Sequence, residues 1–234
     1  MKIKTAVNAH RDLTQLLTFL QHGDSQFPTG AFAFSSGLEG LLSDHITSPR
    51  EIPHTVERMI RNRWATFDRV AVRRAWRAHG DLTLLSGLDR ELDALLLPPA
   101  ERTGSQRAGA ALLITHIRLG TALSTQLHKA VKSKKLLGHR TILEGALWWS
   151  LGLTEIEAAL LSGYGLLHSV TTAAVKLGHL GALRQQQVVS SLTSVIAEFA
   201  DAPLPDPPVL RMFNPLAEIA IMRHTKRDRT LFST

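Results

Sequence analysis

Apolar positions recur along the chain at intervals of three and four, while the period-two alternation of a half-buried strand is nearly absent. Leu13, Leu16, Leu17 and Leu20 fall at i, i+3, i+4 and i+7 and predict a first helix ending near His22 and Gly23. Gly30 and the small residues after it predict the opening of a second, with Phe34, Leu38, Leu41 and Leu42 on one side. Ser48-Pro49-Arg50-Glu51 joins an N-cap serine, a proline at the first helical position and a glutamate three residues after the serine. A long helix is therefore predicted from Pro49, with Ile52, Val56, Met59, Ile60 and Phe67 inward, continuing or bending through Trp76. Asp81 opens a leucine-rich helix that Pro98-Pro99 ends, and another is predicted over about 100–127, its buried stripe Ala108, Leu112, Thr115 and Leu119.

Basic residues and a glycine interrupt the pattern in VKSKKLLGHR, the best internal linker. Beyond it, Thr141 to Leu151 reads as a short helix, and Thr154-Glu155-Ile156-Glu157 is a second capping box opening a helix toward Leu177. Gly163, Gly165, Ala173 and Ala174 in that helix permit close helix approach and predict that it is central. Val188, Val189, Leu192, Val195, Ile196 and Phe199 pattern one more amphipathic helix, which APLPDPPV breaks. Leu216, Ile219, Ala220 and Arg223 pattern a last short helix ahead of the basic HTKRDRTLFST, expected to be disordered unless something binds it. The expected architecture is all-α: a single-domain bundle of about eight to ten helices over 1–208, then a C-terminal helix and a flexible, partner-binding basic tail over 209–234.

Composition narrows the class. With 234 residues and 44% hydrophobic, one large core is possible. No apolar run approaches the roughly 18 residues of a membrane span, and polar residues interrupt the N-terminus before a secretory apolar region develops. The absence of cysteine removes disulfides, thiolate zinc sites and thiol nucleophiles. A soluble, cytoplasmic protein is expected. The net charge of +7 gathers in RMIRNRW, RVAVRRAWRAH, HKAVKSKK and RHTKRDR, which suits an acidic protein partner, nucleic acid or solvent.

Catalytic and cofactor patterns are missing. No two of the eleven histidines stand three or four apart, so no helix offers a paired metal-binding face, and His168 and His179 read as core or surface histidines. No phosphate-binding glycine loop or nucleophile elbow occurs, and Glu155 and Glu157, two apart, read as helix N-terminal charges. No catalytic residue, resident metal or bound cofactor is expected. Arg58, Arg61, Arg63, Arg69, Arg73, Arg74 and Arg77 interleave with Trp64, Phe67 and Trp76, which offers a basic α-helical nucleic-acid-binding protein as the alternative. Yet Trp64 and Phe67 share the apolar stripe of Met59 and Ile60, which assigns them to the core.

One stretch is not generic. Asp24-Ser25-x-x-Pro28-Thr29-Gly30-Ala31-Phe32-x-x-Ser35-x-Gly37-Leu38-Glu39 resembles, in order and spacing, the N-terminal signature of the urease accessory protein F family, UreF. Arg107 and Gly109 resemble part of the family's middle helix, residues 139–182 its C-terminal core, and NPLAEIAIMRHTKRDRTLFST its tail. Lys176 stands where Arg is usual, His179 where Pro is, Glu218 where Asp is common and Thr225 where Glu is, and Arg229 is displaced by one residue from the usual Arg-Leu-Phe ending. Lys176 keeps the charge without the bidentate fork.

The resemblance implies a non-enzymatic, homodimeric scaffold in nickel incorporation into urease. Such a scaffold bridges the accessory protein UreD/UreH, which contacts urease apoprotein, and the GTPase UreG, which handles nickel and GTP. It further implies a partner-binding set of Asp24, Ser25, Pro28, Gly30, Phe32, Ser35, Gly37, Glu39, Lys176, Arg223, His224, Arg229, Leu231 and Phe232, with the tail ordering on binding. Nickel would pass through the complex rather than rest on this chain. Pro28, the glycines and the phenylalanines of the signature suit an interface on physical grounds too.

Overall fold

The computed structural model describes residues 13–28, 35–224 and 232. Within them the chain is helical and contains no strand: α1 (Leu13–Gly23), α2 (Leu38–Ser43), α3 (Ile52–Met59), α4 (Arg69–Arg77), α5 (Leu82–Leu95), α6 (Pro99–Arg118), α7 (Ser124–Lys132), α8 (Arg140–Ser150), α9 (Glu155–Lys176), α10 (Ala182–Asp201) and α11 (Pro215–His224). A π-helical segment, Ile60–Asp68, joins α3 to α4 without a break, so the helix predicted from Pro49 through Trp76 is one rod. Both predicted capping boxes form, at Ser48 with Glu51 and at Thr154 with Glu157.

The rod and α9 are the axis of the bundle. Trp64 and Phe67 are buried core residues, as their spacing predicts. A Cβ on Gly163 would lie 2.6 Å from the Trp64 ring, so α9 closes on the rod only because that side chain is absent. Gly145 plays the same part for α8, where a Cβ would meet the Val72 carbonyl oxygen at 2.4 Å. By length and apolar content α9 could cross a membrane, contrary to the reading of short apolar runs, yet over half of its apolar window is buried inside the bundle.

Three predicted patterns are corrected. The helix expected over 100–127 divides, because Gly120, at φ 74°, closes α6 with paired bonds from Gly120 N to Ile117 O and Thr121 N to His116 O. Leu119 is consequently 53% exposed, and Leu112, Leu113 and His116 face inward. The basic stretch before α8 is not a loose linker: Asp89 accepts from the backbone N–H groups of Leu137, Gly138 and His139 at 2.6, 2.8 and 3.1 Å. On α11 the inward residues are Ala217, Ala220 and Ile221, while Leu216 and Ile219 face out.

Candidate partner-binding surface

Asp24 ends α1 with an Asx turn, its Oδ1 accepting from Gln26 N at 2.8 Å. The turn sends Phe27 inward, where its ring lies 4.5 Å from that of His22 and 5.7 Å from that of His116. The Pro28 carbonyl then accepts from Thr115 Oγ1 at 3.1 Å, fixing this end of the signature to α6. Asp24 and Pro28 stay exposed and Ser25 half-buried. Gly30, Phe32, Arg229 and Leu231 lie outside the described residues.

The signature resumes at a second place. Buried Ser35 accepts from Glu39 N at 3.4 Å, and Gly37, at φ 87°, opens α2. On Gly37 a Cβ would meet Ala217 at 3.2 Å, and on Gly40 the Ala220 carbonyl oxygen at 2.8 Å. Hence α11 presents Ala217 and Ala220 to these two glycines, with Ile221 also inward against Gly37, while Leu216 and Ile219 turn outward. Glu39 is buried, and its Oε2 accepts from Phe232 N at 3.0 Å. The Phe232 ring is 5% exposed and lies 5.9 Å from Lys176 Nζ. Arg223 Nη1 reaches Asp44 Oδ2 at 3.9 Å on the open side, a contact that solvent largely screens. His224 closes α11.

Glu39, Lys176 and Phe232 thus come from three distant parts of the chain and meet at one corner. Asp24, Ser25 and Pro28 belong instead to the α1–α6 edge. Gly40 was not singled out in the sequence, although Gly37-x-x-Gly40 facing Ala217-x-x-Ala220 is a legible small-residue pair. His22 and His116 were missed as a pair because 94 residues separate them in sequence and spacing rules see only local neighbours.

The arginines of residues 58–77 are largely committed inside the protein. Arg69 Nη1 donates to the Phe199 and Ala202 carbonyls at 2.6 and 2.8 Å. Arg73 donates to Ala202 O and to Glu155, each at 2.6 Å, and Arg77 shares that carboxylate at 2.9 Å. Burial opposes the charge on Glu155, yet bonds from Arg77 and Arg73 hold its pKa below the usual carboxylate value. Arg74 grips Glu91 with both Nη atoms, and Arg63 pairs with Asp68 and Glu101. Phosphate contact would require breaking these pairs. His168 is half-buried beside Thr172, and His179 is exposed.

The UreF family model matches residues 46–193, well over half of the chain. The chain belongs to the UreF family. It is 29% identical to the urease accessory protein UreF of Trichodesmium erythraeum (strain IMS101), over 95% of this chain and 98% of that protein. Identity to urease accessory protein UreF 1 of Brucella melitensis biotype 1 is 26%, over 96% of this chain and 95% of the relative. The UreF of Haemophilus influenzae (strain PittGG) is 28% identical over 82% of this chain and 84% of its own length. These relatives carry accessory-protein names, and the first two span both the signature and nearly the whole chain. The family read from the sequence therefore has independent support, while α2 lies ahead of the matched residues and α11 beyond them.

Proposed function

We propose that this UreF-family chain is a non-enzymatic scaffold and chaperone in nickel incorporation into urease. It acts as a homodimer that links UreD/UreH to the GTPase UreG, and through them urease apoprotein, during GTP-dependent nickel delivery. The observation that carries this reading is the corner where Glu39 of the signature holds Phe232 of the tail beside Lys176. A charged residue buried 193 positions away in sequence to seat one backbone N–H makes physical sense where the tail's position matters. Residues 209–234 are the partner-binding unit, with the tail between Arg223 and Phe232 taking its final order from UreD/UreH. Asp24, Ser25 and Pro28 present a second edge of the same signature. Nickel and GTP stay with the partner proteins.

Homodimer formation has its own support. Leu13, Leu17 and Leu20 of α1 are 74%, 65% and 56% exposed. Leu20 also lines a hollow of about 410 Å³ with Phe19, Leu160, Leu161, Tyr164 and Ile196. A leucine ridge beside an apolar hollow can satisfy itself across a two-fold axis. The test is size-exclusion chromatography with light scattering on the chain alone, then with its cognate UreD/UreH and with UreG, nickel and GTP. A dimer that takes up both partners is expected. Phe32→Asp, or truncation after Arg223, is expected to abolish capture while helical content is kept; a normal complex from both variants would overturn the assignment.

A further inference from the structure

We propose that His22, Phe27 and His116 form a pH-sensitive latch that fastens α1 and the start of the signature to α6 at neutral pH and releases them on mild acidification. The latch goes beyond the scaffold reading and does not depend on it.

The geometry leaves both imidazoles without a place for a second proton. His22 Nδ1 lies 2.8 Å from the Thr18 carbonyl oxygen, which can only accept, so Nδ1 carries the hydrogen and Nε2 is bare. That Nε2 is buried without a partner. His116 Nδ1 bonds Thr121 Oγ1 at 2.9 Å, and its Nε2 is likewise buried and unpartnered. The two rings stack at 5.3 Å and 27°, and Phe27 tilts against both. A proton on either Nε2 would be a buried N–H with no acceptor, and protons on both would set two cations face to face.

The surroundings offer no relief. Facing His22 across a cavity of about 60 Å³ are Asp24 on the turn, Arg140 and Glu144 on α8, and His168 on α9. Glu144 already has Arg140 at 3.6 Å, and burial, only partly offset by Arg140, raises its pKa. Among the described residues no carboxylate bonds either imidazole. Burial, then the charge of His22, lowers the His116 pKa from 6.5 to about 4, and burial lowers that of His22 against the pull of the Thr18 carbonyl. Because the folded values lie below the unfolded one, the stabilisation is complete above pH 6.5 and is lost as pH falls toward the folded values. At pH 5.5, His116 alone shifts the opening equilibrium about tenfold.

The experiment is hydrogen exchange by mass spectrometry on the full chain at pH 7.5 and 5.5, corrected for the intrinsic pH dependence of exchange, for the wild type and His116→Leu. Peptides over residues 13–28 are expected to exchange about tenfold faster at the lower pH, with α9 unchanged, and the acceleration is expected to fall several-fold in the variant. No acceleration, equal acceleration in both proteins, or acceleration spread over every helix overturns the latch. Should His116→Leu fail to fold, the His116 Cε1–H resonance of the wild type decides: titration well below 6.5 supports the latch, and titration at 6.5 overturns it.

Discussion

The centre of the bundle and the α2–α11 corner both rely on glycine, but they use it differently. At the centre, Gly145 and Gly163 let backbone meet backbone or indole, with Phe67 and Leu147 in one buried apolar cluster and Trp64 in a second. Ion pairs such as Arg73–Glu155 then tie α4 to α9 at the periphery of that core. At the corner, Gly37 and Gly40 face Ala217 and Ala220, and close approach buries Leu38, Leu41, Ala217, Ala220 and Ile221, while the short α11 leaves Leu216, Ile219 and Met222 exposed. The difference lies in extent: α9 packs over 22 residues, and α11 over 10 with one covered face. Opening the centre is therefore expected to expose more apolar surface than lifting α11 alone from α2.

Four substitutions test this contrast. Gly145→Val puts a branched side chain where a single Cβ would already lie 2.4 Å from a carbonyl oxygen. It is expected to cost upwards of about 3 kcal/mol in urea unfolding, or to prevent folding. Arg73→Leu leaves Glu155 with Arg77 alone and is expected to cost about 2 kcal/mol, less than a fully buried pair because Glu155 keeps some solvent. Its stabilisation should be present above the ordinary glutamate pKa and fade as pH falls through the depressed folded value, so the wild-type advantage should shrink in acid. A pH series of thermal midpoints for both proteins checks this.

Gly40→Val is expected to cost only about 1 kcal/mol globally, because α11 can lift away from the Ala220 contact. Its effect should be local: faster hydrogen exchange over 215–224 and weaker capture of UreD/UreH. A global loss as large as that of Gly145→Val would erase the distinction between the two regions. Gly165→Ala is the smallest and has the opposite sign. Nothing lies within 4 Å of its missing side chain, so removing a mid-helix glycine is expected to stabilise the fold by about 0.5 kcal/mol or more.

Local chemistry accounts for the features legible in the residues alone. Periodicity gave the helices, two capping boxes and Asp81 marked their starts, and counting the rod as one gives ten helices among the described residues, within the expected range. The order and spacing of Asp24 to Glu39 pointed to the UreF family before any contact was visible. Each of these signals lies within a few residues of its own consequence. Tertiary structure decided what local pattern left open. Leu216 and Ile219 fit a helical stripe yet face outward, because which side of a short helix is covered depends on the neighbour's shape. Gly120 could end a helix or sit inside one until the His116 carbonyl found its partner at Thr121. The arginines of the rod could meet phosphate or carboxylate, and only packing brought Glu155, Glu91 and the end of α10 within reach. Glu39 with Phe232, and His22 with His116, are adjacent solely because the chain folds back on itself, a distance that no spacing rule encodes.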